Sequence, residues 1–548
     1  MSEGVSARSI ADLVVARADD EHIGLRFEDQ SWTWAEVVHE CAVRAAVLQA
    51  AGGTGPFHVG VLLENMPEYV FLLGGAALAG ATIVGINPTR RGDELAADIR
   101  HTDCRIVVTE AVHAPLLDGL DLGIPNERVF TVESDAWQAQ LAAHADAHIP
   151  AALPGPEALW VLIFTSGSTG RPKAVKGTQG RFASAGDNMP FTHDDVLYSA
   201  MPLFHGNALS ANYVPAWTHG PTMALKRKFS ASEFMPDVRH FDASYFNTVG
   251  RALSYVLATP PSPDDRNHRV KFALAPESSP ADAAAFLDRF GIYLVGGYGS
   301  SEGAIIIRPV KDAKPGALGR PGDGDVAVVD ADGNECAIAD IDEHGRLRNA
   351  DAAIGEIVRR DPAVVFEGYY NNPEATAERN RNGWYWSGDL GYRDAEGIFY
   401  FAGRTADWLR VDGENFAAAP IERILGRYED AAAVAVYAVP DPVTGDQVMA
   451  ALELRPGTTF EAASFETFLA SQADLGTKWA PRFVRVVDAI PVTGADKIDK
   501  KPLRLAAWNV PDVWWRPART EHYAEFGDEE RIALESEFAQ HNRTHLVP

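Results

Sequence analysis

Cysteine is scarce in this 548-residue chain. Cys41, Cys104 and Cys336 are too few and too scattered for a disulfide framework or for the paired spacing of a zinc site, so the expected compartment is reducing and cytoplasmic. Basic charge is also in deficit: 49 Lys plus Arg stand against 76 Asp plus Glu, a net charge of −27 with His neutral. A surface that acidic repels phosphate backbones at long range, which argues against nucleic acid as a partner. Internal repeats and long low-complexity tracts are missing. The N-terminus, MSEGVSARSIADLVVARADDEHIGL, lacks an uninterrupted apolar stretch before a small-residue cleavage site, which argues against a secretory signal. Residues 69–86 carry no charge and reach the lower length limit for a spanning helix. Gly74, Gly75, Gly80 and Gly85 weaken a continuous helix there. The β-rich TIVGI before Asn87-Pro88 reads as a buried strand following a buried helix that ends near Gly80.

What is present describes a compact folded chain, because 46% hydrophobic and 23% charged residues match ordinary globular proteins. The length suggests more than one domain. Up to about residue 400, β-rich runs such as HVGVLL, RIVVTE, ALWVLIF, VKFALA and IYLVGG alternate with helical stretches, the pattern of an α/β protein with doubly wound, mainly parallel sheets. Ligands belong at the carboxyl ends of such strands. From 316 to 402 the texture changes to short strands and turns, the reading of an antiparallel barrel-like subdomain. After Arg404 a small α+β unit begins, and beyond Leu505 Trp508, Trp514, Trp515 and an acidic helical stretch read as a packed C-terminal extension. The expected division is a large N-terminal domain over 1–404 and a small C-terminal domain over 405–548.

The strongest local signal is Phe164-Thr-Ser-Gly-Ser-Thr-Gly-Arg-Pro-Lys173, directly after the strand ALWVLIF. Four hydroxyl residues and two glycines at a strand end let backbone N–H groups approach an anion closely, and Lys173 adds a cation; this is the chemistry of a polyphosphate cradle. The order differs from a P-loop, since no Gly-Lys-Ser/Thr follows.

The order TSGSTGxPK resembles the signature of the adenylate-forming superfamily, which includes acyl-CoA synthetases, luciferases and peptide-synthetase adenylation domains. Further motifs recur in the same order. Tyr298-Gly-Ser-Ser-Glu302 is similar to that family's YGxTE, Ser387-Gly-Asp-Leu390 to its SGDL, Gly403-Arg404 with Asp407 to its GRxxD, Pro202-Leu-Phe-His205 to its PLFH, and Pro491-Val-Thr-Gly-Ala-Asp-Lys497 to its lysine-bearing end, with Asp496 in place of Gly. The stretch 249–280, Lys228-Phe-Ser-Ala-Ser232 and Gly413-Glu414-Asn415 resemble the fatty-acid-transport-protein and very-long-chain acyl-CoA synthetase branch, which activates long and sterol-derived acids.

The resemblance implies a role for each matching residue. Thr165, Ser166, Gly167, Ser168, Thr169, Gly170 and Lys173 would enclose the β- and γ-phosphates of ATP. Ala275, Pro276 and Glu277, with Tyr298 and Gly299, would form the adenine slot, and Ser300 would also contribute to nucleotide binding. Ser301 would donate to the α-phosphate and Glu302 would hold Mg²⁺. Asp389 would accept from the ribose hydroxyls beside Arg404, His205 would line the acyl entrance, and Gly413 and Glu414 would lie on the acyl or coenzyme A side. Lys497 would enter the site for adenylate formation. The implied reaction is AMP-forming ligation of a small-molecule hydrophobic carboxylic acid to coenzyme A, with a mobile C-terminal domain pivoting near Arg404. Most of the superfamily carries Asp or Lys where this chain has Ala406. Two rival readings stay open on sequence: an adenylation enzyme loading a carrier protein in trans, and a non-catalytic acyl-binding or uptake protein. Peripheral membrane contact and self-association also stay open.

Overall fold

The computed structural model describes residues 8–548 apart from 53–56, 166–172, 188, 277, 279, 311–312, 315, 343–346, 362–365, 405–407, 412–413, 444, 473–474, 476–477, 494–497, 518–519 and 521. The chain divides into two compact units, one built from residues up to Ala304 plus Val365–Glu378, the other from Ile305–Val364 and Arg379 onward.

Two sheets form the first unit among the described residues. One runs in the order Tyr293–Val295, Phe272–Leu274, Tyr245–Asn247, Val196–Ser199, Thr222–Leu225, Ile23–Phe27, Gln30–Thr33, and all of its pairings are parallel except the last. The other runs Val129–Thr131, Cys104–Thr109, His58–Leu62, Thr82–Gly85, Leu159–Thr165, Lys173–Thr178, again with only the last pair antiparallel. Helices connect consecutive parallel strands, as a doubly wound sheet requires.

The uncharged run 69–86 folds as the helix Pro67–Ala79 followed by the strand Thr82–Gly85, with Gly80 in the left-handed region (φ 73°) closing the helix. Gly74 and Gly75 do not break this helix. They let it approach the helix Trp34–Gly52: a Cβ on Gly75 would stand 2.9 Å from the Cys41 carbonyl oxygen and 3.0 Å from the Ala45 nitrogen. Between these helices the buried Arg44 pairs with Glu68 (Nε to Oε1, 3.0 Å) and also with Glu40, and the Trp137 indole N–H donates to Glu68 Oε1 at 3.2 Å. Among the described residues no helix is long and apolar enough to cross a membrane.

The second unit holds an antiparallel sheet in the order Ile306–Arg308, Ala317–Pro321, Phe399–Arg404, Trp384–Arg393, Gly355–Arg359, Val326–Val329. It also holds a mixed sheet of Ala431–Pro440, Asp446–Leu454, Phe483–Val487, Val513–Trp515 and Ala524–Glu525, flanked by the helices Ala418–Leu425 and Ala462–Ser471. The C-terminal stretch is integral here: Val513–Trp515 pairs with Phe483–Val487, and Trp508, Leu534 and Phe538 are buried against Phe483 and its neighbours. One stretch departs from the sequence reading. Residues 366–370 lie within the antiparallel-looking region 316–402, yet they pair with the first unit's edge strand Lys173–Thr178, with Tyr370 N–H donating to Ala174 O (2.8 Å) and Lys176 N–H to Gly368 O (3.1 Å). An edge strand presents unpaired backbone groups, and this segment supplies the partners.

Candidate active site

Strand ends of the first unit deliver several of the candidate residues. Thr165 ends the strand Leu159–Thr165 and stands opposite Lys173, the first residue of the returning strand. Ser166–Gly170 between them lie outside the described residues, as do Glu277, Gly413 and Lys497. Ala275 and Pro276 follow Phe272–Leu274, and Tyr298 follows the adjacent parallel strand Tyr293–Val295, so the two segments reach the same sheet edge. Ala275 is buried and its N–H donates to Val295 O at 2.9 Å. At Gly296 and Gly299 a Cβ would meet nothing within 4 Å, which leaves open room beside Tyr298 for a flat base.

The next turn, Ser300–Gly303, closes with Gly303 N–H donating to Ser300 O at 3.0 Å, and it carries Ser301 and Glu302. Glu302 is 8% exposed and accepts from the Tyr369 hydroxyl at 2.7 Å. The ring of Tyr369 lies 5.7 Å from the ammonium of the buried Lys173. Lys173, Tyr369 and Glu302 therefore form one cluster drawn from three distant segments. Arg181 fastens those segments: its Nη1 donates to Ser301 O (3.0 Å), its Nη2 to Lys176 O (2.9 Å) and its Nε to Glu367 Oε2 (3.0 Å). Sequence reading missed Tyr369, Arg181 and Glu367. The signal for the first was the Gly-Tyr-Tyr run before Asn371-Asn-Pro-Glu374, which looks like an ordinary turn entry until its strand partner is known.

The segment that carries His205 meets this turn directly. A Cβ on Gly206 would stand 3.7 Å from Ser301 Oγ, so His205 and Gly206 sit beside Ser301. Asn65, buried, holds the segment in place: its Oδ1 accepts from Leu203 N–H (2.9 Å), and its Nδ2 donates to Met201 O (2.9 Å) and Lys226 O (3.1 Å). Phe204 packs against the end of the strand Thr82–Gly85, where a Cβ on Gly85 would come within 3.0 Å of Phe204 Cα.

In the second unit Asp389 and Arg404 are direct partners on antiparallel strands. The strand Trp384–Arg393 shifts register at this point, and Gly388 takes φ 72° with its N–H donating to Glu356 Oε1 at 2.7 Å. Burial pushes the Glu356 carboxyl above its usual range, against the opposing pull of the Gly388 N–H and nearby arginines. Ser387 Oγ accepts from Asp389 N–H at 3.0 Å, which fixes the turn that presents Asp389.

Thr165, Lys173, Ala275, Tyr298 and the turn Ser300–Gly303 thus lie at or beside strand ends of the first unit, with Gly206 next to Ser301. Residues 14–370 match the family described as AMP-binding enzyme, and residues 420–497 match the AMP-binding enzyme C-terminal domain. The chain belongs to the AMP-binding enzyme family. It is 50% identical to steroid-22-oyl-CoA synthetase of Rhodococcus jostii (strain RHA1), over 98% of this chain and 99% of that protein. It is 43% identical to the medium/long-chain-fatty-acid–CoA ligase FadD17 of Mycobacterium marinum (strain ATCC BAA-535 / M), over 92% of this chain and 98% of that one. The fold also matches the crystal structure of the anthranilate CoA ligase AuaEII in complex with anthranoyl-AMP, with a TM-score of 0.80 at 22% identity over 93% of this chain and 99% of the other.

Proposed function

We propose that the protein, an AMP-forming acyl-CoA ligase for hydrophobic acids, activates a bulky acid of the steroid side-chain type. The observation that carries the reading is the approach of Gly206 to Ser301, which brings an acyl-side segment against a phosphate-side turn. In the first half-reaction the substrate carboxylate attacks the α-phosphorus of ATP and expels pyrophosphate. In the second, the thiol of coenzyme A attacks the acyl-adenylate and releases AMP. No protein nucleophile is needed, so the chain's contribution is positioning and charge stabilisation.

We assign Lys173 and the loop 166–170 to the terminal phosphates, Ser301 to the α-phosphate, and Ala275, Pro276, Glu277, Tyr298, Gly299 and Ser300 to the adenine. Asp389 with Arg404 takes the ribose, and Lys497 the developing charge of adenylate formation. His205 lines the acyl entrance, with Gly413 and Glu414 on the acyl or coenzyme A side. A single buried carboxylate, oriented by a tyrosine hydroxyl and sharing its site with phosphate oxygens, suits Mg²⁺, which takes one or two carboxylates plus phosphates. Glu302 would hold the ion, which would neutralise phosphate charge.

The 50% identity to a steroid-22-oyl-CoA synthetase supports the steroid class, and the 43% identity to a fatty-acid ligase supports a hydrophobic acid more broadly. Mass spectrometry of thioesters formed from a mixed panel of acids with ATP, Mg²⁺ and coenzyme A tests the proposal. Each buried CH₂ contributes about 0.8 kcal/mol, so turnover should climb with acyl size until the pocket is filled. A preference for acetate or another acid of two to four carbons would overturn the substrate class.

A further inference from the structure

The helix Gly206–Ala208 passes into a π-helical stretch, Leu209–Tyr213, immediately after the His205 that lines the acyl entrance. Residues five apart come into line where a helix winds with i→i+5 bonds, and such stretches recur at functional sites. Here the two residues are Asn207 and Asn212, and both reach Asn247 at the carboxyl end of the strand Tyr245–Asn247. Asn212 and Asn247 are buried at 2% and 1% exposure; Asn207 is partly exposed.

The direction of every bond in this ladder follows from its inner end. The Leu197 carbonyl can only accept, so the nitrogen of Asn212 faces it, at 3.2 Å. The same nitrogen donates to Asn247 Oδ1 at 3.3 Å, which turns the Asn247 nitrogen outward. That nitrogen donates to Asn207 Oδ1 at 2.8 Å, which in turn directs the Asn207 amide N–H pair away from the ladder. Among the described residues the structure records no acceptor for that pair. The outermost group of the ladder is thus a donor with a set orientation, carried by the residue that follows Gly206.

Burying amides in a site for hydrophobic acids opposes stability unless their hydrogen bonds are completed, and a pocket built to bond a substrate oxygen rejects the analogue that lacks it far more strongly than one built only for shape. We propose that Asn207 is a specificity determinant whose amide N–H donates to an oxo or hydroxyl oxygen on the acyl part of the acid, so that the substrate is an oxygen-bearing hydrophobic acid rather than a plain aliphatic one. This rests on the ligase reading above and narrows its substrate class. The ladder's inner amides are positioning residues; only Asn207 touches the substrate.

The test compares kcat/KM for pyrophosphate release across oxo- or hydroxy-substituted hydrophobic acids and their deoxy counterparts of equal carbon number. In the wild-type enzyme at least one oxygenated acid exceeds its deoxy partner by about tenfold or more, the value of one well-placed bond between a site and its substrate. Asn207→Leu brings that ratio close to one. Asn207→Asp, of the same shape but without the outward donor, abolishes the preference for oxo acids, and thermal unfolding shows that both variants remain folded. Equal turnover of each oxygenated and deoxy pair by the wild type overturns the proposal while leaving the ligase reading intact. An equal fall for both members of a pair in Asn207→Leu also overturns it, because it would place the donor on the carboxyl group common to all acids. Absence of pyrophosphate release with every acid would instead defeat the ligase reading itself.

Discussion

Glu302 owes its orientation to a residue 67 positions away. The Tyr369 hydroxyl fixes one carboxylate oxygen, and the Lys173 ammonium over the same ring places a positive charge nearby. A hydrogen bond to a charged group contributes about 1.5 to 3 kcal/mol. Tyr369→Phe should therefore slow adenylate formation at least tenfold and raise the Mg²⁺ concentration needed for half-maximal pyrophosphate release, while conversion of supplied acyl-adenylate to thioester proceeds as in the wild type. An unchanged Mg²⁺ titration would separate Tyr369 from the ion. Lys497 carries the second prediction at this scale. A cation at the developing charge is worth about 10² to 10³ in rate, so Lys497→Ala should lose adenylation by that order yet still use supplied acyl-adenylate. Lys500 is occupied differently, since its Nζ lies 2.9 Å from Glu422 Oε1. Lys500→Ala should retain both half-reactions and lose only about 1 kcal/mol of stability, as urea unfolding would read.

The segment Pro202–His205, proposed to line the acyl entrance, has little regular structure of its own and takes its position from Asn65, just beyond the strand His58–Leu62. Three hydrogen bonds from one buried side chain tie Met201, Leu203 and Lys226 together. Asn65→Leu would leave a buried N–H and two carbonyls without their partner, at a cost of about 3 kcal/mol, and would free His205 to shift. The expected outcome is a lower Tm together with a raised KM for the acid. A lower Tm with unchanged kcat and KM would make Asn65 a purely structural residue. Glycines set the other constraint on this region: Gly75 lets two helices touch and Gly85 lets a strand end meet Phe204, so the site stands on elements packed closer than a side chain would allow.

In the proposed mechanism two reactions share one set of nucleotide residues, and the proposed pivot between them lies near Arg404. Residue 406 lies outside the described residues, but its side chain is a bare methyl, and a pivot depends on free φ and ψ more than on charge. Ala406→Pro fixes φ and removes an N–H. It should damage one half-reaction much more than the other, measured as pyrophosphate release against thioester formation from supplied acyl-adenylate; equal losses would move the pivot elsewhere. The stability of the whole chain carries a pH signature from Asp98 on the helix Gly92–His101. Burial raises its carboxyl to about 6, although Arg90 at 3.2 Å opposes the shift and Glu94 adds to it. The folded state then binds a proton that the unfolded state releases, so this group's contribution weakens as pH rises from about 4 to about 6. Over that window Asp98→Asn should gain on the wild type by about 2 to 3 kcal/mol in unfolding free energy. A difference that does not vary with pH would show that Asp98 titrates normally.

The chain's local chemistry was legible without coordinates. Alternating β-rich and helical runs placed HVGVLL, RIVVTE, ALWVLIF and IYLVGG as strands, and Thr165, Lys173, Tyr298 and Glu302 at their ends, because backbone periodicity and strand-end turns are written in neighbouring residues. Even the helix-to-strand step at Gly80 could be read, since a left-handed cap needs glycine at that one position. Partnership between distant segments could not. Tyr369 reaches Glu302 across 67 residues, Asn65 reaches Leu203 across 138, and residues 366–370 leave an antiparallel-looking region to complete the edge of another sheet. Asn207 and Asn212 look like ordinary polar positions until a π-helical turn aligns them on Asn247. A buried polar group must find a partner, but sequence states only that demand; which group meets it depends on where remote parts of the chain come to rest against one another, and that is decided by tertiary packing.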